Sequence, residues 1–506
     1  MSRLQNPRFL VLFTTGHIQT ILFRVGYSSS SFSVEHPDDL VHPVSKRKNL
    51  SDGDLKREIG FFSATILVIA NMVGTGIFTT SGFIIEELGD PQAMLLCWFV
   101  GGVFALCGAL CYGELGAMFP RAGGEYVFLR ESFGKGMGFL SGWVSLIAGF
   151  SAPIAAASIA FATYLFRSFS LPLGPEMTLP FLGVNIVAIS PQSVVAVGVI
   201  IIFSLVHYHS LLMGSRVQNA LTAFKVGIVV VFVVAGLFLG HGSTGNFSGG
   251  LDMGSAFQDK FAVSLIFVSF AYSGWNAAAY IGGEIRKSGR NIPLALFAGT
   301  FIVMCLYLLL NVVYIYALPA GEMSGVLEVG ENAAASLFGG HVSKYFAGAI
   351  AIGLLSVLSA MIMTGPRVYY AMSRDGIFFG LFGKVNKVHR TPAYSIFLQA
   401  AIAIFMVITA SFDKLLLYIG FTLSLFAMLT VVGMILLRIR QPALTRNYKT
   451  VGYPVTPFLF VIGNLWIIYF SLKSRPVTSL FGLATIGLGL LAYFYFDKRE
   501  KQYNDV

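Results

Sequence analysis

Ile69-Ala-Asn-Met-Val-Gly-Thr-Gly-Ile-Phe78 sits in the first long apolar block of the chain, just beyond Asp54-Leu-Lys-Arg-Glu-Ile-Gly60. At a helical rise of about 1.5 Å per residue, Gly74 and Gly76 reach the middle of a bilayer. Each glycine costs a helix about 1 kcal/mol relative to alanine, so two of them around Thr75 predict a break. A comparable interruption, Phe270-Ala-Tyr-Ser-Gly-Trp-Asn276, falls in the middle of the sixth apolar block. Interrupted first and sixth spans, five helices apart, are the mark of an inverted five-plus-five repeat that holds its substrate between the broken helices. Glycines that only let helices approach closely are the alternative. That reading suits Gly101, Gly102, Gly282 and Gly283, while the paired breaks favour function for Gly74-Thr75-Gly76. No strand precedes this GxG, so it does not read as a nucleotide loop.

The rest of the chain agrees. Of its 506 residues 56% are hydrophobic and 11% charged, against about 25% charged in soluble domains. Apolar runs such as Ser190 to Leu205, Val226 to Leu239 and Gly348 to Met363 recur along the sequence, and about 20 apolar residues span a bilayer as a helix. Backbone groups in hydrocarbon must be paired within the protein; continuous rather than alternating runs select helices. The expected fold is an all-α integral membrane protein of about twelve spans, near residues 61–84, 93–119, 137–166, 190–208, 217–240, 258–284, 294–317, 344–373, 393–410, 414–437, 455–472 and 477–496. With the N-terminus cytoplasmic, 26 of the 34 Lys and Arg lie in segments on that side and six on the other, with Lys225 and Arg367 inside spans. The asymmetry predicts both termini inside, and it gives the net charge of +10 a membrane meaning rather than a nucleic-acid one.

The expected organisation is a cytoplasmic arm over 1–53, a ten-helix core over 54–440, helices eleven and twelve over 441–496, and a tail over 497–506. Met1 to Val34 carries Arg3, Arg8 and Arg24, many serines and no acid, a composition that overlaps with a transit peptide; a disordered arm is the plainer reading. Cys97, Cys107, Cys111 and Cys305 all fall inside expected spans and read as small packing residues. His207 and His209 at a helix end read as solvated rather than as metal ligands, and no metal site or cofactor is expected. No nucleophile, base and oxyanion arrangement can be traced, so no catalytic residue is expected. Asn246-Phe-Ser248 is a glycosylation sequon in a loop opposite the N-terminal side.

Lys225 is the most telling charge. It lies nine residues beyond Arg216, about 14 Å deeper at helical rise, too deep for its stem to reach the interface easily. An ionisable group so placed is a functional hypothesis by default.

Four motifs carry a resemblance. They are NMVGTGIF at Asn71 to Phe78, CYGELGAMFPRAGGEY at Cys111 to Tyr126, FAYSGWN followed by GGEIRKSGRNIP, and PRVYYAMSRDG at Pro366 to Gly376. In this order and at these helices the chain, from about Asp54 to its last span, resembles the amino acid–polyamine–organocation family, most closely its L-type amino acid transporter branch. The resemblance implies the LeuT-type fold and amino acid transport. It implies that a substrate carboxylate meets Val73, Gly74, Thr75 and Gly76. The ammonium would meet carbonyls at Ile69, Ala70, Phe270, Ala271 and Ser273. Phe270 matches an aromatic gate, and Asn276 and Trp275 match positions beside the site, Asn276 as support for broken-helix backbone groups. Lys225 matches a lysine found in proton-coupled relatives and in exchangers alike, so two roles stand: a proton carrier, or a fixed cation that holds the broken first helix. Glu114, Arg121, Glu125 and Arg130 would form an inner gate network or a solvated face.

No carboxylate is expected near the breaks, and Ala277-Ala-Ala-Tyr280 is small and apolar. The expected substrates are therefore small or medium neutral L-amino acids, with cationic amino acids or polyamines as the alternative. A non-transporting amino acid sensor is a further alternative. L-type relatives that dock a heavy chain carry a cysteine in the loop after span three. The corresponding loop here, Arg167 to Ile189, has none, so no disulfide-linked heavy chain is expected; the chain is expected as a monomer or weak homo-oligomer in the plasma membrane.

Overall fold

The computed structural model describes residues 55–504 apart from 172–176, 182–183, 251–258, 327, 410–411 and 475; the arm expected over 1–53 lies outside the described residues. The first break falls at the glycines. Helix α1 (Phe61–Met72) ends where Val73 leaves helical geometry with ψ 87°, and α2 (Thr75–Leu88) starts after an extended Gly74, the two meeting at 42°. Then come α3 (Pro91–Met118), a short α4 (Glu125–Phe133), and a long span of α5 (Lys135–Val144) and α6 (Ala152–Ser168). A π-helical stretch, Ser145–Ser151, joins α5 to α6. Pro153 stands two residues beyond its end; proline has no N–H to give, and a widened turn is one way a helix absorbs such a defect.

An antiparallel pair, β1 (Met177–Phe181) and β2 (Val184–Ile189), precedes α7 (Pro191–His209) and α8 (Leu211–Phe238). The second half opens with another broken helix: α9 (Asp259–Tyr272), a non-helical Ser273–Asn276, and a four-residue α10 (Ala277–Tyr280). It continues with α11 (Ser288–Ala317), α12 (Ala320–Met323), α13 (Val329–Phe338), α14 (Gly340–Thr364), α15 (Pro366–Arg374), α16 (Ala393–Thr409) and α17 (Phe412–Arg440), then α18 (Val455–Ser474) and α19 (Pro476–Asn504). Helix α19 runs on through most of the expected tail.

Among the described residues nine helices are long and apolar enough to cross a membrane, ten with the bent α1–α2 pair. The 17-residue apolar α16 and the interrupted α9–α10 stand where the ninth and sixth spans were expected. The protein is a multi-pass membrane protein. Helix α3 packs on α11 and α6 on α14, that is, second span on seventh and third on eighth, the pairing that a twofold relation between two five-helix halves produces. Gly101 and Gly102 serve close packing as expected: a Cβ would lie 2.2 Å from Val268 and 2.7 Å from Met304. The sixth span differs from its expected extent, since helix ends at Tyr280. Beyond it Ile281 bridges Ala122 and Ile285 bridges Ile59 in β fashion, and Gly282 passes so close to the Arg121 carbonyl that a Cβ would sit 2.9 Å from it.

Candidate functional site

The two breaks meet. A Cβ on Gly76 would lie 2.6 Å from Ala271 Cα, so glycine is what lets α2 pass the end of α9. Gly274, at φ +94°, takes a left-handed turn in which a Cβ would strike the Asn71 amide at 2.6 Å. Asn71 Nδ2 donates to the Gly274 carbonyl at 3.3 Å. Tyr307 on α11 ties both breaks: its hydroxyl donates to the Met72 carbonyl at 2.7 Å or the Ala271 carbonyl at 3.0 Å.

Between the breaks is a cavity of about 40 Å³ bordered by Asn71, Gly74, Thr75, Gly76, Phe270, Ala271 and Ser273, with Pro153, Ala156, Ala157, Val357 and Met361 as an apolar wall. A larger one, about 90 Å³, adjoins it through Asn71, Pro153, Phe270, Ser273 and Met361 and extends past Trp275 and Asn276 to Glu125 and Tyr280. Gly74 makes no side-chain cap for α2, so the first-turn N–H groups are free of one and, with the helix dipole, attract an anion. Asn71 Oδ1 is buried without a partner beside both cavities.

Of the expected site residues, Gly74, Thr75, Gly76, Phe270, Ala271 and Ser273 surround the smaller cavity, and Phe270 lies on the wall common to both. Ile69, Ala70 and Val73 border neither. The Val73 N–H donates to the Ile69 carbonyl at 3.0 Å, which removes it from the free donors. Lys225, buried on α8, donates to the Ala70 carbonyl at 3.0 Å and the Val73 carbonyl at 2.5 Å. Asn276 borders the larger cavity, but its amide donates to the Tyr280 hydroxyl at 3.3 Å rather than supporting broken-helix backbone.

Other expectations change. A carboxylate does reach the breaks: Glu125, buried at the start of α4, borders the larger cavity. It accepts from the Tyr112 hydroxyl and, at 3.3 Å, from Tyr280. Burial, offset in part by those two hydrogen bonds, pushes its pKa up to about 7. The sequence points to Glu125 only for an inner gate network or a solvated face; it is buried, and its separation in sequence from the breaks hid its place on their cavity. Glu114 is neither solvated nor part of that cluster; Arg438 and Arg446 pair with it, the latter at 3.3 Å, and the Thr450 N–H at 2.7 Å. Arg130 pairs with Asp375, and Arg121 with Glu131 at 3.3 Å. His207 is buried with Nε2 2.8 Å from Ser359 Oγ, not solvated, while His209 packs its ring on Tyr208 and His389 at a helix end. Asn71 stands in the first motif but has no role assigned there, and Tyr307 and Pro153 had no signal in the sequence beyond polarity or a proline in an apolar run.

A family profile described as "Amino acid permease" matches residues 59–491. The mouse protein named "Large neutral amino acids transporter small subunit 2" is 28% identical over 93% of this chain and 87% of its own length. A human "b(0,+)-type amino acid transporter 1" is 30% identical over 87% of this chain and 88% of its own. The "Serine/threonine exchanger SteT" of Bacillus subtilis (strain 168) is 29% identical over 89% of this chain and 99% of its own. With a profile spanning both breaks and relatives aligned along nearly the whole length, this chain belongs to the amino acid permease family.

Proposed function

We propose that this permease moves small or medium neutral L-amino acids by alternating access, with the substrate at the meeting point of the two breaks. One observation carries the reading: a cavity between α1–α2 and α9–α10 has uncapped helix N–H groups on one side and the unpartnered Asn71 oxygen close by. The carboxylate takes the N–H groups of Thr75 and Gly76, and the ammonium takes Asn71 Oδ1 and free lone pairs of the Phe270, Ala271 and Ser273 carbonyls. The apolar wall of Pro153, Ala156 and Val357 suits a short neutral side chain, in keeping with the serine and threonine named for one relative, while another is named for large neutral amino acids. Lys225 acts as a fixed cation for the broken first helix, since both carbonyls it reaches belong to that helix. Phe270 gates the substrate.

The charge asymmetry supports cytoplasmic termini. The loop after α6 has no cysteine, which supports a chain without a disulfide-linked heavy chain, although one relative is named a small subunit. Glu125 favours a second reading, a cationic amino acid whose side chain extends into the larger cavity.

Gly74→Val tests the site. A Cβ at Gly74 makes ordinary van der Waals contact with Val357 at 3.7 Å and the Met72 carbonyl at 3.8 Å, so the variant is expected to fold, but its side chain covers the N–H groups. Expected is folded protein with amino acid binding weakened at least about tenfold, or about 1.4 kcal/mol; wild-type affinity removes the assignment.

A further inference from the structure

We propose that Glu125 is a proton-binding site that links amino acid movement to proton movement; this rests on the reading of the chain as an amino acid transporter. The carboxyl sits at the end of the cavity that begins at the substrate breaks, and it is held by hydroxyls from two different elements, Tyr112 on α3 and Tyr280 on α10. Among the described residues no cation on the elements around it pairs with it. On its own helix Arg130 is bound to Asp375 and Glu131. On α15 Arg367 is bound to Glu284, and Arg374 is also engaged. On α3 and α17 Glu114 and Arg438 are bound to each other. Asp375 faces Tyr126 and Arg130. What faces Glu125 is therefore phenol, amide and apolar surface, a setting that favours the neutral carboxylic acid.

The geometry also supplies a change of affinity during transport. Tyr280 stands on the short helix after the second break, and that helix is tethered to the loop before α4 by the Gly123 N–H on the Tyr280 carbonyl at 2.9 Å. Opening at this end parts α10 from α4 and lets water in. Hydration returns the carboxyl toward the ordinary carboxylate range, and its proton leaves to the water on that side. On closing, Glu125 takes a proton again through the cavity that runs back to Asn71 and Phe270. One proton is bound and one released per cycle, with no other chemistry. A titration midpoint near 7 in the packed state places this exchange within the range of cellular pH.

The test uses the full-length protein in vesicles, with the labelled neutral amino acid that wild type counterflows best. Wild type is expected to accumulate it in vesicles free of internal amino acid when the side feeding the cavity is acidified, with a pH profile centred near 7. Glu125→Gln, which imitates the protonated acid, is expected to retain counterflow and to lose both the accumulation and the pH profile. Tyr280→Phe removes a donor that favours the ionised form, so the midpoint moves to higher pH. Accumulation indifferent to pH in wild type, or pH dependence that survives in Glu125→Gln, overturns the proposal while leaving transport intact. A Glu125→Gln variant that loses only lysine or arginine transport also overturns it, in favour of a cation subsite. Absence of counterflow in wild type overturns both this proposal and the transport reading.

Discussion

At the residue scale, the chemistry rests on groups whose partners come from far along the chain. Lys225 was conspicuous in sequence because a charge stands out in an apolar run, and a hold on the broken first helix was one of its two expected roles, but that Ala70 and Val73 are the carbonyls it takes was not legible. Tyr307 was hidden altogether, one phenol among many apolar residues, although it fastens both breaks. Replacing Lys225 with alanine leaves two buried carbonyls without their donor, at about 1–3 kcal/mol each. Lys225→Ala is expected to lose stability on that scale in a detergent melt and to transport at least about tenfold more slowly. A variant with wild-type stability and rate contradicts the fixed-cation role. For Phe270 the expectation separates two readouts: Phe270→Ala should lower transport more than amino acid binding, because closure rather than recognition is lost. Equal loss of both, or of neither, argues against a gate.

At the scale of elements, the breaks were legible because two glycines in an apolar helix have few structural excuses, and their partner lies at the equivalent span. The contact they make was not legible. A Cβ at Gly74 would make only ordinary contacts of 3.7 Å or more, whereas one at Gly76 would strike the Ala271 backbone at 2.6 Å; spacing alone treats the two alike. Glu284 and Arg367 were equally obscure as a pair, lying in separate motifs, yet they form a doubly bonded pair at 2.9 and 3.1 Å, both about 1% exposed. That pair joins the segment after the second break to α15. Removing one member of a buried pair strands the other and costs about 3–5 kcal/mol. Arg367→Met is expected to destabilise by that amount in thermal unfolding. The double variant Arg367→Met with Glu284→Gln should recover part of it, and a double variant as unstable as the single one would show that the pair is not what holds these elements together.

At the scale of the whole molecule, hydropathy fixed the spans because hydrocarbon allows so few solutions to backbone pairing, and expected and observed helices agree to within a few residues along most of the chain. The misplacement of Glu125 and of the sixth span's end has one physical cause. Where the chain leaves regular helix, at the loop before α4 and after Tyr280, side chains distant in sequence converge, and periodicity carries no information about which ones. Glu125 reached the cavity in that way. The account's central claim is that the two breaks form one amino acid site that opens alternately to either side. Counterflow into vesicles that hold purified protein and a panel of unlabelled neutral amino acids tests it most directly. The account predicts that labelled neutral L-amino acid enters far faster when the vesicles contain neutral L-amino acid than when they are empty at matched pH, and that Gly74→Val abolishes the difference. Labelled amino acid that binds to wild type but does not cross in either condition would contradict it.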